Sequence, residues 1–169
     1  MTTDGNLILD ERQVLQKIKR IAYEIFENNF STKKIWIAGI KDQGYLFASM
    51  IADELKVISS IKVKLIAVEI NKQKPVEGKV AFDTDLKDEN IKCLVLVDDV
   101  LNTGKTMAYC LHSFLNFKIE KIETAVLVNR KHGLFPISAS YTGYELSTTI
   151  NDHVQVVLNE QSKKVYLLD

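Results

Sequence analysis

The residues with the most chemistry in them are Cys93-Leu94-Val95-Leu96-Val97-Asp98-Asp99-Val100-Leu101-Asn102-Thr103-Gly104-Lys105-Thr106. A buried-strand pattern ends in two adjacent carboxylates. A short loop follows, and Thr-Gly-Lys-Thr opens a segment with helical spacing. Backbone N–H groups at a helix start, with the helix dipole behind them, attract a phosphate. Gly104 lets the backbone approach closely, and the hydroxyls of Thr103 and Thr106 add donors. Two bare carboxylates would repel a phosphate at close range. Asp98 and Asp99 are better used on the vicinal hydroxyls of a ribose, and on the metal that accompanies a polyphosphate. The stretch therefore points to a sugar phosphate.

Two other readings compete. Gly104-Lys105-Thr106 matches the tail of a nucleotide-triphosphate loop, but that motif needs a glycine five positions earlier, where this chain has Asp99. The blander alternative is a strand-to-helix turn with an accidental acidic pair. Two carboxylates at the exit of a buried strand are costly without a task, which weighs against it.

Other elements must position these residues. Val14, Leu15, Ile18, Ile21, Ala22, Ile25 and Phe26 form one apolar stripe and predict a helix over 10–28, with Asp10 as N-cap and Asn28 and Asn29 at its end. Ile35 to Ile40 reads as a strand buried on both faces, followed by the polar turn Lys41-Asp42-Gln43-Gly44. Helical spacing returns at Leu46, Phe47, Met50, Ile51 and Leu55. Val63 to Ile70, Leu94 to Val97 and Ala125 to Val128 predict strands, and Met107, Cys110, Leu111, Phe114 and Leu115 a helix. This alternation predicts one α/β domain over 1–169, with a central, mostly parallel sheet and ligands at the carboxyl ends of its strands. Residues 71–92 interrupt the pattern as a polar arm containing Pro75 and Gly78. Tyr141 to Tyr144, Val154 to Leu158 and Val165 to Leu168 look like short strands, and His153 falls in a terminal loop.

Composition narrows the classes. The 169 residues carry 22 Lys+Arg against 22 Asp+Glu, and 46% are hydrophobic, which excludes a disordered chain and argues against a strongly electrostatic nucleic-acid binder. Only Arg12, Arg20 and Arg130 are arginines, so few residues can make a bidentate fork to phosphate. Cys93 and Cys110 have no metal-ligand spacing and read as small core residues in a reducing compartment. No apolar run approaches about 18 residues, so no membrane span is expected. The first residues, Met-Thr-Thr-Asp-Gly-Asn, have no basic region followed by an apolar stretch, so a cytoplasmic protein is expected.

The acidic-pair stretch resembles the phosphoribosyl-diphosphate (PRPP) motif of type I phosphoribosyltransferases. Further segments resemble the pyrimidine-operon attenuator/uracil phosphoribosyltransferase family. They are Leu7 to Glu11 leading into Ile21 to Ile25, Gly39 to Gly44, and Ala125 to Arg130 followed by His132, Pro136-Ile137 and Tyr141-Thr142-Gly143. The resemblance implies the type I phosphoribosyltransferase fold with a flexible arm and a small C-terminal hood. It implies transfer of a phosphoribosyl group from PRPP, carried with Mg²⁺, to a pyrimidine base such as uracil, giving UMP and pyrophosphate. Asp98 and Asp99 would bind the ribose and act at the catalytic centre. They are also the candidate metal ligands. With Val100, Leu101, Asn102, Thr103, Gly104, Lys105 and Thr106 they would hold the ribose and the 5′-phosphate. Lys41, Asp42, Gln43 and Gly44 would form the pyrophosphate loop, and Val128, Asn129 and Arg130 would begin a base hood that runs to Pro136. Relatives form dimers or larger assemblies, so a homodimer is compatible with this chain. A non-enzymatic regulator responsive to UMP or PRPP, or an RNA-binding attenuation protein, on the same scaffold is the alternative function. RNA binding is not favoured, because no basic stripe is visible.

The chain also departs from the family pattern. Gln43 stands where relatives carry an arginine. The lid candidate, 71–79, has neither Arg nor Tyr and offers only Lys72, Lys74 and Lys79. Asn102 replaces the aspartate of purine-specific relatives, which argues against a purine substrate. Asn129 takes the place of the hood aspartate. Ligand binding is thus expected, with weak turnover.

Overall fold

The computed structural model describes residues 5–74, 76 and 78–168. The start at Met1 to Asp4, and Pro75 and Glu77 of the lid candidate, lie outside the described residues. Helix α1 spans Glu11–Asn28 after β1, Asn6–Leu9. Asp10 caps it as expected: its carboxylate accepts from Gln13 N–H, and the Gln13 side chain accepts from Asp10 N–H, a reciprocal capping box. Val14, Ile18, Ile21, Ala22 and Ile25 of the apolar stripe are all buried. Each fully buried branched aliphatic contributes roughly 1.5–3 kcal/mol.

The main sheet has six strands. They are β2 (Lys34–Ile40), β3 (Lys62–Glu69), β4 (Ala81–Phe82), β6 (Leu94–Leu101), β8 (Ile122–Asn129) and β9 (Tyr141–Glu145), in the order β4-β3-β2-β6-β8-β9. All pairings are parallel except β3 with β4. Alternate residues of its central strands face two separate cores. Ile35, Ile37, Val95 and Val97 pack with α1 and with α2, Gln43–Ile58. Trp36, Ala38, Leu94 and Leu96 pack with Met107, Cys110 and Phe114 of α3, Lys105–Phe114. This double burial explains the continuous apolar runs. At Gly39 a Cβ would stand 2.7 Å from Ala48 Cβ, so α2 packs directly on the strand that leads into it.

Cys93 and Cys110 are buried and unpaired, and burial first of all pushes both thiols up to about 12, as core residues require. No helix among the described residues is long and apolar enough to cross a membrane.

Four expectations need correction. The central strand does not end at the carboxylates. β6 continues to Leu101, because its pairing with β8 persists through Val100 with Val128 and Leu101 with Asn129. The polar arm is shorter than 71–92. β4 pairs with the end of β3, the short strands β5 (Asn90–Ile91) and β7 (Lys118–Ile119) pair with each other, and Leu86 and Ile91 are buried. The small second sheet is not purely C-terminal. Its order is β1-β11-β10, with β10 at His153–Leu158 and β11 at Lys163–Leu168, so the N-terminal strand belongs to it. Val128 and Asn129 therefore close a central strand of the main sheet and are not part of a separate hood.

Candidate functional site

The carboxyl ends of β3, β6 and β8, the start of α3 and the strand β10 enclose a cavity of about 600 Å³. Residues 98–107 line it without a break, so every residue expected from Asp98 to Thr106 is at its wall. Gly104 is the N-cap of α3 with φ +86° and has no side chain to cap it, while Thr103 Oγ1 accepts from Lys105 N–H at 3.3 Å. A left-handed residue here favours glycine, and a Cβ would also press within 3.1 Å of Ile137 Cβ. The first-turn N–H groups after Lys105 therefore face the cavity with the helix dipole behind them. The Thr103 carbonyl accepts from Leu134 N–H at 2.9 Å and Phe135 N–H at 3.0 Å, which fixes this loop against the chain that leaves β8.

The acidic pair has a partner that the sequence only hinted at. Lys72 Nζ donates to Asp98 Oδ1 at 2.8 Å and stands 3.6 Å from Asp99 Oδ1. Asp98 Oδ1 also accepts from Asp99 N–H at 2.9 Å. Asp98 is the deeper of the two, with a side chain 5% exposed against 17% for Asp99. Burial, and next the charge of Asp99, push the Asp98 carboxyl up to about 8, against the pull of Lys72. Burial works against the Lys72 ammonium, but the two carboxylates outweigh it and its pKa is raised. The lysine thus balances the charge of the acidic pair.

The remaining expected residues divide. Lys41, Asp42, Gln43 and Gly44 do not line this cavity. Gly44 backs onto it: a Cβ there would lie 2.7 Å from Asp98 Oδ1. Lys41 pairs with Glu69 at 3.1 Å. Gln43 is the first residue of α2, and its Oε1 accepts from Leu158 N–H at 2.7 Å, tying the helix start to β10. Its side chain is therefore committed to the small sheet and not to a pyrophosphate loop. Of the three expected hood residues, Val128 is buried in the core and Asn129 Oδ1 accepts from Lys131 N–H. Arg130 alone lines the cavity.

His132, inside the expected hood segment, lines the cavity. Several other wall residues had no advance signal: Ile150 and residues 153–156 line it too, and His153 opens a strand instead of lying in a terminal loop. Among the described residues, buried Gln155 Oε1 meets no hydrogen-bond partner, which leaves an acceptor that a ligand or water can use. Among the described residues no three His, Cys, Asp or Glu side chains gather as a metal site. The protein can thus offer a cation one or two carboxylates, Asp98 and Asp99. That suits a Mg²⁺ completed by phosphate oxygens of a ligand rather than a metal caged by protein.

Residues 5–161 match the phosphoribosyl transferase domain family. A protein of Fusobacterium nucleatum named Bifunctional protein PyrR is 33% identical, in a match that covers 97% of each chain. One of the same name from Clostridium acetobutylicum is 34% identical, covering 95% of this chain and 97% of that one. The fold is also similar to a hypoxanthine phosphoribosyltransferase of Trypanosoma cruzi, with a TM-score of 0.76 at 16% identity over 99% of this chain and 98% of that one. An acidic pair on a central strand, a helix start beyond it and a match over nearly the whole length agree: the chain belongs to the phosphoribosyltransferase family.

Proposed function

We propose that the chain binds PRPP with Mg²⁺ and transfers its 5-phosphoribosyl group to a pyrimidine base such as uracil, giving UMP and pyrophosphate at a slow rate. The observation that carries this reading is one cavity with the Asp98-Asp99 pair on one wall and the start of α3 on the next. Asp98 and Asp99 accept hydrogen bonds from the ribose hydroxyls. Backbone amides from Thr103 to Thr106 hold the 5′-phosphate. In the transfer the bond from the ribose C1′ to a pyrophosphate oxygen breaks, and its electron pair leaves with pyrophosphate. A base nitrogen bonds to C1′, and its proton passes to solvent water. Positive charge builds on the sugar ring and negative charge on the leaving group, so the site works mainly by electrostatic stabilisation. Asp98 and Asp99 answer the first charge. Lys72, released from the pair when ribose enters, answers the second. Asp98 and Asp99 would also hold the Mg²⁺, which supplies further neutralisation of the pyrophosphate when bound.

The name of the relatives, bifunctional, supports a second role on the same scaffold, in which bound nucleotide regulates rather than reacts. A screen of free bases for PRPP-dependent pyrophosphate release, run beside PRPP calorimetry with and without Mg²⁺, separates the two. The enzyme reading expects uracil to be consumed more slowly than about 10 per second. Binding of PRPP with no base consumed hands the function to the regulator. Absence of binding by any ribose phosphate refutes both.

A further inference from the structure

The end of the main sheet opposite the Asp98-Asp99 cavity carries a lysine cluster that the proposed transfer does not use. A cavity of about 650 Å³ opens there between the last turn of α1, the end of α2 and the starts of β2 and β3. Lys33, Lys34 and Lys62 line it, and no carboxylate of the described residues does. Lys34 stands opposite Lys62 in the β2–β3 register, and the Lys33 carbonyl accepts from Lys62 N–H at 3.0 Å, so the sheet itself holds the three cations together. Like charges set opposite one another in a sheet repel. Lys34 is 3.9 Å from Glu89, but neither Lys33 nor Lys62 pairs with a carboxylate among the described residues. The bland use of these lysines is to answer the carboxyl ends of α1 and α2, which both finish at this cavity. Each helix end carries roughly half a negative charge, so the two together offset about one lysine and leave about two positive charges unanswered.

We propose that this cavity is a second ligand site, which takes the dianion of a small phosphate monoester carrying a planar or apolar group. Such a phosphate has about −1.5 to −2 charges at neutral pH and three acceptor oxygens, which matches the surplus. Ser31, Thr32 and Ser60 also line the cavity and add hydroxyl donors, whereas Ser59 Oγ is already used on the Leu55 carbonyl at 2.7 Å. A lone carboxylate would engage fewer of these donors and leave a lysine unmatched. The remaining lining is apolar. Phe26 and Ile58 are packed on the core, and Phe30 is 75% exposed. An open aromatic face beside ammonium groups suits a ring joined to a phosphate. The site does not rest on the phosphoribosyl-transfer reading, because it shares no wall residue with the Asp98-Asp99 cavity.

Trp36, the only tryptophan of the chain, reports on this site. Lys34 Nζ lies 4.4 Å from the centre of its ring, so an anion that draws on Lys34 changes the charge beside the indole and with it the emission. The test is titration of the full chain with phenyl phosphate and with inorganic phosphate at constant ionic strength, followed by Trp36 fluorescence. Phenyl phosphate should give a saturable change and bind about threefold or more tighter than inorganic phosphate, the gain due to its ring. Phe30→Ser should abolish that advantage and leave inorganic phosphate within about twofold. Lys33→Gln with Lys62→Gln should weaken both probes about tenfold or more, as loss of charge-assisted hydrogen bonds requires. Lys33→Arg with Lys62→Arg keeps the charge and should hold both affinities within about threefold of the wild type. Thermal melts establish that each variant is folded. Absence of a saturable change in the wild type overturns the proposal without recourse to any variant. A response that survives in folded Lys33→Gln/Lys62→Gln places the phosphate elsewhere and overturns it too. So does equal affinity of the wild type for the two probes, which would mark loose counterions and no site for the ring.

Discussion

Replacing Lys72 by Met removes the cation that stands between the two carboxylates while keeping an unbranched apolar stem. Breaking a fully buried ion pair costs about 3–5 kcal/mol, because the other charge is left uncompensated. The Lys72 side chain is 39% exposed, so water screens part of this, and about 1–2 kcal/mol is the expected loss at pH 8–9. For a chain of this length that corresponds to a drop in Tm of about 2–8 °C. The pH dependence is the sharper test. Burial first, then the charge of Asp99, hold the Asp98 carboxyl up at about 8, above the roughly 3.9 of an unfolded aspartate. A raised carboxyl contributes stability below about pH 4 and loses it as pH climbs through about 8. Lys72 opposes that loss by favouring the ionised form. The gap in Tm between wild type and Lys72→Met should therefore be small at pH 4 and widen towards pH 9. Thermal melts of the unliganded proteins at four or five pH values suffice. A gap that is flat across this range, or no gap, refutes the claim that Lys72 balances the pair. UMP should raise the Tm of the variant by more than that of the wild type, since no lysine has to be displaced from the ribose acceptors.

Two further substitutions probe the walls of the site. Gly44→Ala places a methyl 2.7 Å from Asp98 Oδ1 and 3.0 Å from Asp98 Cα, so it should displace the carboxylate and weaken PRPP binding at least tenfold by calorimetry; retained affinity would show that the approach of α2 to the pair is dispensable. Gln43→Arg restores the residue type of relatives but removes the acceptor from Leu158 N–H. It should lower stability by about 1–2 kcal/mol and leave turnover unchanged, and faster pyrophosphate release would mean that the position faces the leaving group after all.

The central strands and helices were legible because each is strongly patterned, the strands by burial on both faces and α1 by one apolar stripe. Ile35 to Ile40 and the α1 stripe are of this kind. Legibility failed where a partner lies far along the chain. The apolar run of β6 is interrupted by Asp98 and Asp99, so its pattern stops at Val97. The strand itself continues because β8 still pairs with it. Likewise nothing near Asn6 announces that its partner is Leu167, and nothing near Gln43 points to Leu158. The acidic pair and the loop that opens α3 were readable as one wall of the cavity because they are contiguous in the chain. The opposite wall is assembled from β10 and the chain after β8, whose residues carry no local motif.

The fate of Gln43 changes what the missing arginine means. An arginine at a pyrophosphate loop would supply a preorganised fork to the leaving group. Here the side chain at that position joins α2 to the small sheet, so the contact stabilises the walls of the cavity and not the charge within it. Positive charge comes instead from two places that the fold keeps apart. Lys72 leaves the end of β3 and meets the acidic pair. Arg130 leaves the end of β8 and meets Asn102 and the 148–149 segment. The lysine is a mobile point charge on a flexible stem, and the arginine is a planar fork already fixed by three neutral partners. Fixed donors favour recognition, and a displaceable ammonium favours exchange between an empty and a filled ribose site. A site built this way would bind a nucleotide selectively before turning one over quickly, which is the physical ground on which the proposed slow transfer and regulatory role would share one cavity.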